Sequence, residues 1–446
     1  MKYVRLSLFL ALALCLVLSA SSPAFATTEG SCGPNATWRF DDGTLTISGT
    51  GVVTSTHWYD IRNRITKVIV EPGIINLPEN AFHDCEFLTD LSLPEGLIQL
   101  GSFAFSNCHS LGTVLLPSTL KSIGDHAFGN SGLTGITIPG SVEKIGVSAF
   151  DNCYKLMRVT LEEGITFIGT SAFCGCKKLT EITLPDSLEA IGSNAFENCT
   201  SLKSIVLPQN VTMIPTYAFQ GCKSLENVTL SPNTTTIDYA AFFDCPALRS
   251  IALPAAVQYI YGLPNTLKEI HISDLTAWCR ADHSYYDYCL ENAGLYLNGE
   301  LITDLVIPAG CKTISDYTFS RYAKLKSVTI PEGVTAIGSG AFSDCYALEQ
   351  VTLPKSIKYI NSFTFSGTEC LQQVTYNGAM EDLQYVQVMG GNDTLLNASW
   401  NFGPAGTLAV MLESLTVSLL IGCLINGGIL IACLVIYIRQ RKYPFL

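Results

Sequence analysis

A phenylalanine recurs at an almost constant spacing along this 446-residue chain. It usually follows alanine, and successive copies are 23 residues apart, with a single step of 22. The repeated residues are Phe82, Phe105, Phe128, Phe150, Phe173, Phe196, Phe219 and Phe242, and after a gap Phe319, Phe342 and Phe365. A fixed period of this length predicts an array of equivalent coils that stack on one another, rather than one compact core.

The unit that begins at Phe173 shows the pattern inside each repeat. Its further apolar positions are Cys176, Leu179, Ile182, Leu184, Leu188, Ile191 and Ala195. Two apolar residues separated by one, Ile182 and Leu184, predict a short strand with one inward face. Pro185 ends this strand because proline has no N–H for a ladder, and Gly192 permits the turn before the next phenylalanine.

Equivalent residues of stacked coils lie about 4.8 Å apart, the strand spacing of a parallel sheet. We therefore expect continuous interior ladders, in which each buried Phe or Leu contributes roughly 1.5–3 kcal/mol. The single 22-residue step follows Phe128, where Gly-Asn-Ser-Gly replaces the usual x-x-Cys. We expect this deletion to shorten the connection and to leave the strand Ile136-Thr137-Ile138 intact.

The repeat resembles that of the BspA-like leucine-rich-repeat family. Leu-x-x-Ile-x-Leu-Pro together with Ile-Gly-x-x-Ala-Phe-x-x-Cys, as from Leu179 to Cys199, carries the resemblance. It covers roughly residues 65–376 in at least eleven units. The resemblance implies a curved solenoid with a parallel sheet on its concave face, a role in adhesion to host proteins or other cells, and no enzymatic activity.

Both ends of the chain contain an apolar segment, and the two segments predict export and membrane insertion. Residues 1–26 combine basic Lys2 and Arg5 with an apolar run and an Ala-Phe-Ala cleavage site, which predicts a cleaved secretory signal peptide rather than an anchor. Residues 415–438 are uncharged and long enough to cross a bilayer. Because the basic tail 439–446 follows at once, we expect one transmembrane helix with a cytoplasmic tail and an external N-terminal part. A sortase signal is the alternative, but no LPxTG motif precedes the run.

The remaining segments divide into caps, repeats and an insertion. Residues 27–64 predict an N-terminal β-hairpin cap that turns at Asp42-Gly43, and 377–400 resemble the closing unit of the family, followed by a stalk at 401–414. The repeats are predicted at 65–272 and 301–376. The insertion at 273–300 separates them and departs from the pattern.

This insertion is rich in aromatic residues. It contains Trp278, Cys279, His283, Tyr285, Tyr286, Tyr288 and Cys289. Insertions in solenoids map to loops, often on a binding face, and aromatic residues anchor many protein interfaces. Trp278 and the three tyrosines are therefore candidate ligand-binding residues. The alternative is a loop whose aromatic residues pack back onto their own coils.

The cysteines of this chain are predicted to be either buried free thiols or a disulfide. Eight of the 17 cysteines stand three residues after the repeated Phe, one per coil, and we expect them to be buried thiols in a stack rather than disulfides. They are Cys85, Cys108, Cys153, Cys176, Cys199, Cys222, Cys245 and Cys345. Cys279 and Cys289, outside that series, are the disulfide candidates.

No motif for catalysis, metal binding or a cofactor occurs. The six histidines do not cluster, and neither His-Glu-x-x-His, Gly-x-Ser-x-Gly nor a phosphate-binding glycine loop is present. We therefore expect no enzyme, no cofactor and no metal site. Both termini lack acidic residues, so the segment between them carries 38 acidic against 21 basic residues. This acidity argues against binding to nucleic acid.

One residue of each strand should point outward. Threonine holds this position at Thr137, Thr160, Thr183, Thr229, Thr329, Thr352 and Thr375, and other residues hold it at Ser92, Leu115, Val206, Ala252, His271 and Val306. Threonine suits strands in any case. The functional interpretation is a nearly uncharged, hydroxyl-rich face that meets an extended protein or glycan.

These observations favour a cell-surface leucine-rich-repeat protein that mediates adhesion or protein–protein interaction through its extracellular solenoid. The partner would be an extracellular protein or glycan, with the membrane engaged by the single C-terminal helix. The alternative is a structural or self-associating envelope protein without a dedicated host ligand.

Overall fold

The computed structural model describes residues 28–283 and 289–403. They form two compact units: an N-terminal unit of 28–188 with 198–200, and a C-terminal unit of 189–197 with 201–403. The predicted signal peptide and the predicted helix at 415–438 lie outside the described residues. Within the described ranges, no helix has both the length and the apolar character needed to cross a bilayer.

The N-terminal unit contains fourteen strands. They are β1 (Thr28–Ser31), β2 (Ala36–Asp41), β3 (Thr44–Gly49), β4 (Gly51–Val52), β5 (Lys67–Val70), β6 (Ile74–Leu77), β7 (Asp90–Ser92), β8 (Gln99–Leu100), β9 (Ser122–Ile123), β10 (Gly135–Ile138), β11 (Lys144–Ile145), β12 (Arg158–Leu161), β13 (Phe167–Ile168) and β14 (Glu181–Thr183). A 3-10 helix spans Tyr59–Arg64.

Each repeat of this unit is a coil with a long strand and a short strand, except that the coil at Leu115 has only the short one, β9. Long strands pair with long strands, and short strands pair with short strands. The long strands form the sheet β1-β2-β3-β5-β7 and a separate sheet β10-β12-β14, while β13, β11, β9, β8, β6 and β4 lie side by side in that order. Successive long strands are parallel and pair at a separation of one repeat, as Thr137 does with Thr160. The predicted parallel repeat solenoid of about 23 residues is confirmed, and the short strands add a second sheet that the sequence pattern did not reveal.

The first strands of the N-terminal unit are antiparallel. β2 and β3 form a hairpin in which Asp41 pairs with Thr44, so Asp42 and Gly43 make the turn. Both turn residues have positive φ, 43° and 79°, as a type I′ hairpin requires. Behind the hairpin, Trp38 and Trp58 pack edge to face with ring centroids 5.9 Å apart.

The C-terminal unit contains twenty strands. They are β15 (Ala190–Ile191), β16 (Ser204–Val206), β17 (Met213–Ile214), β18 (Asn227–Thr229), β19 (Thr236–Ile237), β20 (Ser250–Leu253), β21 (Tyr259–Ile260), β22 (Glu269–Ile272), β23 (Asp282–His283), β24 (Gly294–Leu297), β25 (Glu300–Leu301), β26 (Asp304–Val306), β27 (Thr313–Ile314), β28 (Ser327–Thr329), β29 (Ala336–Ile337), β30 (Gln350–Leu353), β31 (Tyr359–Ile360), β32 (Gln373–Tyr376), β33 (Gln387–Val388) and β34 (Ser399–Phe402).

Long and short strands alternate in this unit as well. The long strands form the sheets β16-β18, β20-β22-β24-β25 and β26-β28-β30-β32-β34, and the short strands form β17-β19-β21-β23 and β27-β29-β31-β33. The helices are α1 (Leu275–Arg280), α2 (Cys289–Asn292) and α3 (Asp393–Asn397), with a 3-10 helix at Met380–Tyr385.

The repeated phenylalanines stack face to face through the interior of each unit. In the N-terminal unit the stack starts at Trp58 and continues from Phe82 to Phe173, with centroids of neighbouring phenylalanine rings 5.3–5.4 Å apart. In the C-terminal unit, Phe219 and Phe242 stack at 5.5 Å. These rings are at most 1% exposed. The predicted interior ladder is therefore confirmed.

A third line of hydrogen bonds joins the coils on the side of the phenylalanines. The backbone N–H of Phe105 donates to the carbonyl of Ala127 at 2.7 Å, and Phe150 donates to Ala172 at 2.8 Å. The residue two positions after each repeated Phe has positive φ. Ten of these eleven residues are Asn, Asp or Gly, which tolerate that conformation best, and Arg321 is the exception.

The cysteine series lies beside this line. The Sγ–H of Cys108 donates to the Phe82 carbonyl of the preceding coil at 3.3 Å, and Cys345 donates to Phe319 in the same way at 3.1 Å. All eight cysteines of the series are buried, and none is in a disulfide. The prediction of a stack of buried thiols is therefore confirmed, with a hydrogen bond that spacing alone did not indicate. Tyr322, which replaces cysteine in one coil, donates instead to the Ile302 carbonyl.

Glutamate side chains accept hydrogen bonds from backbone N–H groups in the turn of the following coil. Glu163 Oε1 accepts from the backbone N–H of Asp186 at 2.9 Å, and its Oε2 accepts from that of Ser187 at 3.1 Å. Glu332 accepts in the same way from Lys355 and Ser356. The pKa of Glu163 is lowered, first by the Asp186 hydrogen bond. These bonds therefore favour the charged carboxylate.

The adjacent residues Phe242 and Phe243 allow a matched test of the stack. Phe242 is fully buried, whereas the Phe243 side chain is 60% exposed. We expect Phe242→Ala to lower the free energy of unfolding by about 3–5 kcal/mol, because it leaves a cavity beside Phe219 at the end of its stack. Phe243→Ala should change it by less than about 0.5 kcal/mol. Urea unfolding followed by circular dichroism measures both, and equal losses would contradict the stacking argument.

The glutamate turns predict a pH dependence of stability. Because the pKa of Glu163 is lower in the folded chain than its ordinary value of 4.5, its contribution is present above pH 4.5 and is lost as the pH falls through the folded pKa. We expect Glu163→Gln to lower the melting temperature at pH 7 and to reduce its fall between pH 5 and pH 3. Glu143→Gln, at an exposed residue, is the control and should leave the pH profile unchanged.

Candidate binding surface

The outward residues of the long strands form one exposed line in each sheet. In the N-terminal unit, Thr137, Thr160 and Thr183 are paired in register and all are exposed. Their flanking residues Ile136 and Ile138 are buried. The predicted alternation of inward and outward residues is therefore correct here, while the ligand-binding role of the threonines stays a prediction.

The C-terminal unit has outward threonines on its own long strands. Thr229 is exposed beside Val206, and Thr329 pairs with Thr352, which is half-buried. Thr375 follows in register and is also half-buried. The threonine face therefore exists in both units, and it is least accessible near β32.

Exposed aliphatic side chains interrupt the threonines. Leu115 is 83% exposed, Val306 is 64% exposed and Val206 is 63% exposed. All three occupy the outward position that threonine holds in other coils. Single exposed apolar residues are common on protein surfaces, so the surroundings of each residue decide its significance.

Leu115 lies in a groove of about 570 Å³ on the N-terminal unit. Its walls include Leu115, Met157 and Arg158, with Thr137 and Thr160 on the outward line. The Met157 side chain is 48% exposed. The groove thus combines an apolar interior with hydroxyl groups and a guanidinium group.

Glycine at position 135 leaves the space for this groove. Arg158 and then Glu181 follow Gly135 in register on β12 and β14. A Cβ built on Gly135 would come no closer than 3.6 Å to any atom beyond its chain neighbours, the nearest being the Arg158 carbonyl oxygen. The missing side chain therefore leaves open surface and is not required by close packing.

The sheet of long strands is also discontinuous at this place. Thr113 makes an isolated bridge to Gly135, and the segment around Leu115 forms no strand. The bridge joins residues 22 positions apart, whereas Gly135 and Arg158 are 23 apart. The strand at Ile136–Ile138 is intact as predicted. The effect of the deletion on the preceding coil was not predicted.

Contacts between basic and acidic side chains lie on the long strands of both units. Arg158 Nε lies 3.9 Å from Glu181 Oε2, and both side chains are more than 70% exposed. His271 Nε2 lies 3.0 Å from Glu269 Oε2 on β22. Exposed pairs of this kind contribute little to stability, so Arg158 remains available to a ligand at the edge of the groove.

The insertion places Trp278 in the interior, as expected if its aromatic residues pack back onto their own coils, and a ligand contact of Trp278 stays a prediction. Its side chain is 1% exposed, and its indole Nε1–H donates to the Thr318 carbonyl at 3.2 Å. Thr318 immediately precedes Phe319. Trp58 does the same at the other phenylalanine run, donating to Ala81 before Phe82. Trp278 therefore belongs to the packed core, because its coil needs a ring where the repeat has no phenylalanine.

Other residues of the insertion make hydrogen bonds within the insertion itself. The side chain of Asp274 caps α1 by accepting from the N–H of Thr276 at 2.7 Å. His283 Nε2–H donates to the Trp278 carbonyl at 3.0 Å, and burial lowers the pKa of His283 to about 4. The side chain is therefore a neutral structural group at physiological pH. Tyr285, Tyr286 and Tyr288 lie outside the described residues, and their ligand-binding role stays a prediction.

The two disulfide candidates of the insertion are both buried, and neither forms a disulfide in the described residues. Cys289 lies in α2. The first influence on the pKa of the Cys279 thiol is the thiol of Cys311, a cysteine of the following coil. A disulfide between Cys279 and Cys289 stays a prediction. Across 28–283 and 289–403, no group of three or more His, Cys, Asp or Glu side chains is placed to hold a metal ion.

Comparisons with known proteins agree with this architecture. A family model described as "BspA type Leucine rich repeat region" matches six copies, within residues 75–193, 144–263 and 293–387. These ranges cover more than half of the chain. No curated protein sequence matches the chain.

Solved structures provide further similarities. A leucine-rich repeat protein from Bacteroides ovatus ATCC 8483 is 23% identical with a TM-score of 0.57, covering 83% of this chain and 98% of that one. A leucine rich cell surface protein from Faecalibacterium prausnitzii A2-165 is 22% identical with a TM-score of 0.36, covering 85% of this chain and 98% of that one. The first of these similarities supports the fold alone.

The open space at Gly135 predicts that a larger residue stabilises the chain. We expect Gly135→Ala to raise the free energy of unfolding by about 0.4–1 kcal/mol, because it restricts the unfolded chain without a clash. Gly140→Ala is the matched control: its Cβ would lie 1.7 Å from the Glu163 carbonyl oxygen, so it should destabilise. Thermal unfolding of both variants measures the difference, and a destabilised Gly135→Ala would contradict the open geometry.

Proposed function

The chain belongs to the BspA-type leucine-rich-repeat family, and on this basis we propose that it is a surface protein that binds an extracellular protein through the outward face of its long strands. Membership of the family implies protein–protein interaction in general, and a solenoid of this type is typically a binding scaffold without catalytic activity. The proposal includes export of the chain, a membrane anchor and a role in adhesion.

The groove at Gly135 is the observation that carries this proposal. Its volume of about 570 Å³ suits one or two side chains of a partner, and Leu115 and Met157 supply apolar contact. Arg158 at its edge offers a donor for a carboxylate or a backbone carbonyl. An apolar pocket with a few polar groups at its rim is the arrangement in which interface anchors bind.

The threonine line extends the contact beyond the groove. Thr137, Thr160 and Thr183 follow one another in register, so their hydroxyl groups repeat with the strand spacing. A protein segment that lies across these strands meets one hydroxyl per coil. Each contact is weak, and affinity therefore grows with the number of coils that the segment crosses.

The exposed aliphatic residues favour a protein partner over a glycan. Leu115 and Val206 are more than 60% exposed and occupy outward positions in their respective units. Aliphatic side chains bury against apolar protein groups, whereas sugar recognition relies on hydrogen bonds and aromatic faces. A glycan partner and self-association are therefore outcomes that the experiment must separate from protein binding.

If the outward face binds the partner, negative charges introduced on that face should weaken binding. The purified chain is titrated onto immobilised extracellular matrix proteins and onto cells, and saturable binding is expected. Thr160→Glu with Thr183→Glu should weaken that binding at least about tenfold, which is about 1.4 kcal/mol, because unpaired carboxylates are desolvated in the contact. Gly135→Leu, which fills the groove, should weaken binding without loss of stability.

Matched controls distinguish binding from folding. Thr170→Glu with Thr212→Glu introduces the same charge at exposed residues away from the long strands and should leave binding unchanged. Circular dichroism checks that every variant is folded. Equal binding by the Thr160/Thr183 variant would reject this face as the binding site. Binding that survives protease treatment of the partner would indicate a glycan, and sedimentation as an oligomer without a partner would favour a structural role.

A further inference from the structure

Two buried thiols meet where the insertion packs on the coil that follows it. Cys279 lies in the last turn of α1, and Cys311 lies in the turn just before β27. Their residues are 0% and 1% exposed, and the thiol of each is the first influence on the pKa of the other.

The backbone around the two thiols is held by further hydrogen bonds. Arg280 Nη2 donates to the carbonyl of Gly310 at 3.1 Å, directly beside Cys311. Ser315 donates from its backbone N–H to the Cys279 carbonyl at 2.9 Å, and from its hydroxyl to the Arg280 carbonyl at 3.1 Å. These bonds place residues 279–280 against residues 310–315, so the backbone brings the two cysteines to the same place.

The surroundings of Cys311 also favour its thiolate. A hydrogen bond from Cys279, a second from the Thr276 hydroxyl and the positive charge of Arg280 together lower the pKa of Cys311 to about 7, against the opposing effects of burial and of Asp274. The cysteine series differs in this respect. Burial raises the pKa of Cys345 to about 12, and its thiol donates to a carbonyl. The thiolate is the nucleophile in disulfide exchange, so Cys311 is chemically distinct from the cysteine series.

We propose that Cys279 and Cys311 form a disulfide when the chain meets an oxidising disulfide such as oxidised glutathione. Because both thiols are buried, the exchange requires a local opening between α1 and the turn before β27. In that opening the Cys311 thiolate attacks one glutathione sulfur, the glutathione S–S bond breaks, and one glutathione thiolate leaves and takes up a proton. Cys279 then loses its proton to water and attacks the Cys311 sulfur of the mixed disulfide, which releases the second glutathione. Two protein thiols are thereby oxidised, and one glutathione disulfide is reduced to two thiols.

The cross-link would attach the insertion to the repeat array. It would join the end of α1 to the turn before β27 and close the loop that contains α2. A closed loop of this length restricts the unfolded chain and stabilises the folded one. This inference goes beyond the proposed function, because it requires neither the groove nor a ligand.

The test is made on the folded full chain. The protein is incubated overnight with oxidised glutathione, denatured, treated with N-ethylmaleimide to block remaining thiols, and digested with trypsin without a reducing agent. Trypsin cuts after Lys268, Arg280 and Lys312, so the expected product is peptide 269–280 linked to peptide 281–312. Because the second peptide also contains Cys289, a protease that cuts after Glu291 and Glu300 identifies which cysteine is linked.

The expected link is to Cys311, and it should disappear on reduction. Cys311→Ala should abolish it, whereas the matched variant Cys345→Ala in the cysteine series should retain it. The oxidised wild-type chain should melt about 2–5 °C above the reduced chain, and Cys311→Ala should show no such rise. A link between Cys279 and Cys289, or maleimide on both Cys279 and Cys311 after oxidation, would overturn the proposal. Both outcomes are measured on the wild-type chain, so they do not depend on how a variant folds.

Discussion

Stacking of phenylalanine rings at 5.3–5.5 Å is the interaction on which the rest of each unit depends. The spacing is close to that of neighbouring strands in a sheet, so one repeat of chain advances by one ring, one long strand and one short strand together. The cysteine thiols and the glutamate turns use the same step, since each bonds to the coil next to its own. A side chain that breaks the stack therefore disturbs several lines of bonds at once.

The groove, the buried Trp278 and the Cys279–Cys311 pair all lie where the 23-residue period is broken. The 22-residue step leaves Thr113 with a single bridge to Gly135 and opens the groove beside Leu115. The insertion replaces a phenylalanine by Trp278, whose indole reaches the start of the next ring stack. It also brings Cys279 to Cys311. Regular coils repeat the same contacts, whereas the irregular ones contain the groove and the Cys279–Cys311 pair.

The outward face shows how one residue type serves two purposes. Threonine favours strands and pairs well across them, so Thr137, Thr160 and Thr183 fit the sheet whether or not a partner binds. Their exposure follows from the two-residue period of the strand, which turns the neighbouring isoleucines inward. Leu115 has no such structural reason to be outside, because leucine is not β-branched and its segment forms no strand, and it is the more informative sign of a partner on this face.

The sequence by itself determined the period, the inward and outward residues, the hairpin turn at Asp42-Gly43 and the burial of the cysteine series, because each follows from local spacing or local backbone preference. It did not determine the short-strand sheets or the hydrogen bond that each thiol makes. It left open whether Trp278 faces a ligand or the interior, and it did not indicate that Cys311 influences Cys279, since composition marks an aromatic insertion but not the direction in which it packs. Those features are decided by contacts between residues one or more coils apart. Only the stacked tertiary structure brings such residues together, and only there does the absence of a side chain at Gly135 become a groove.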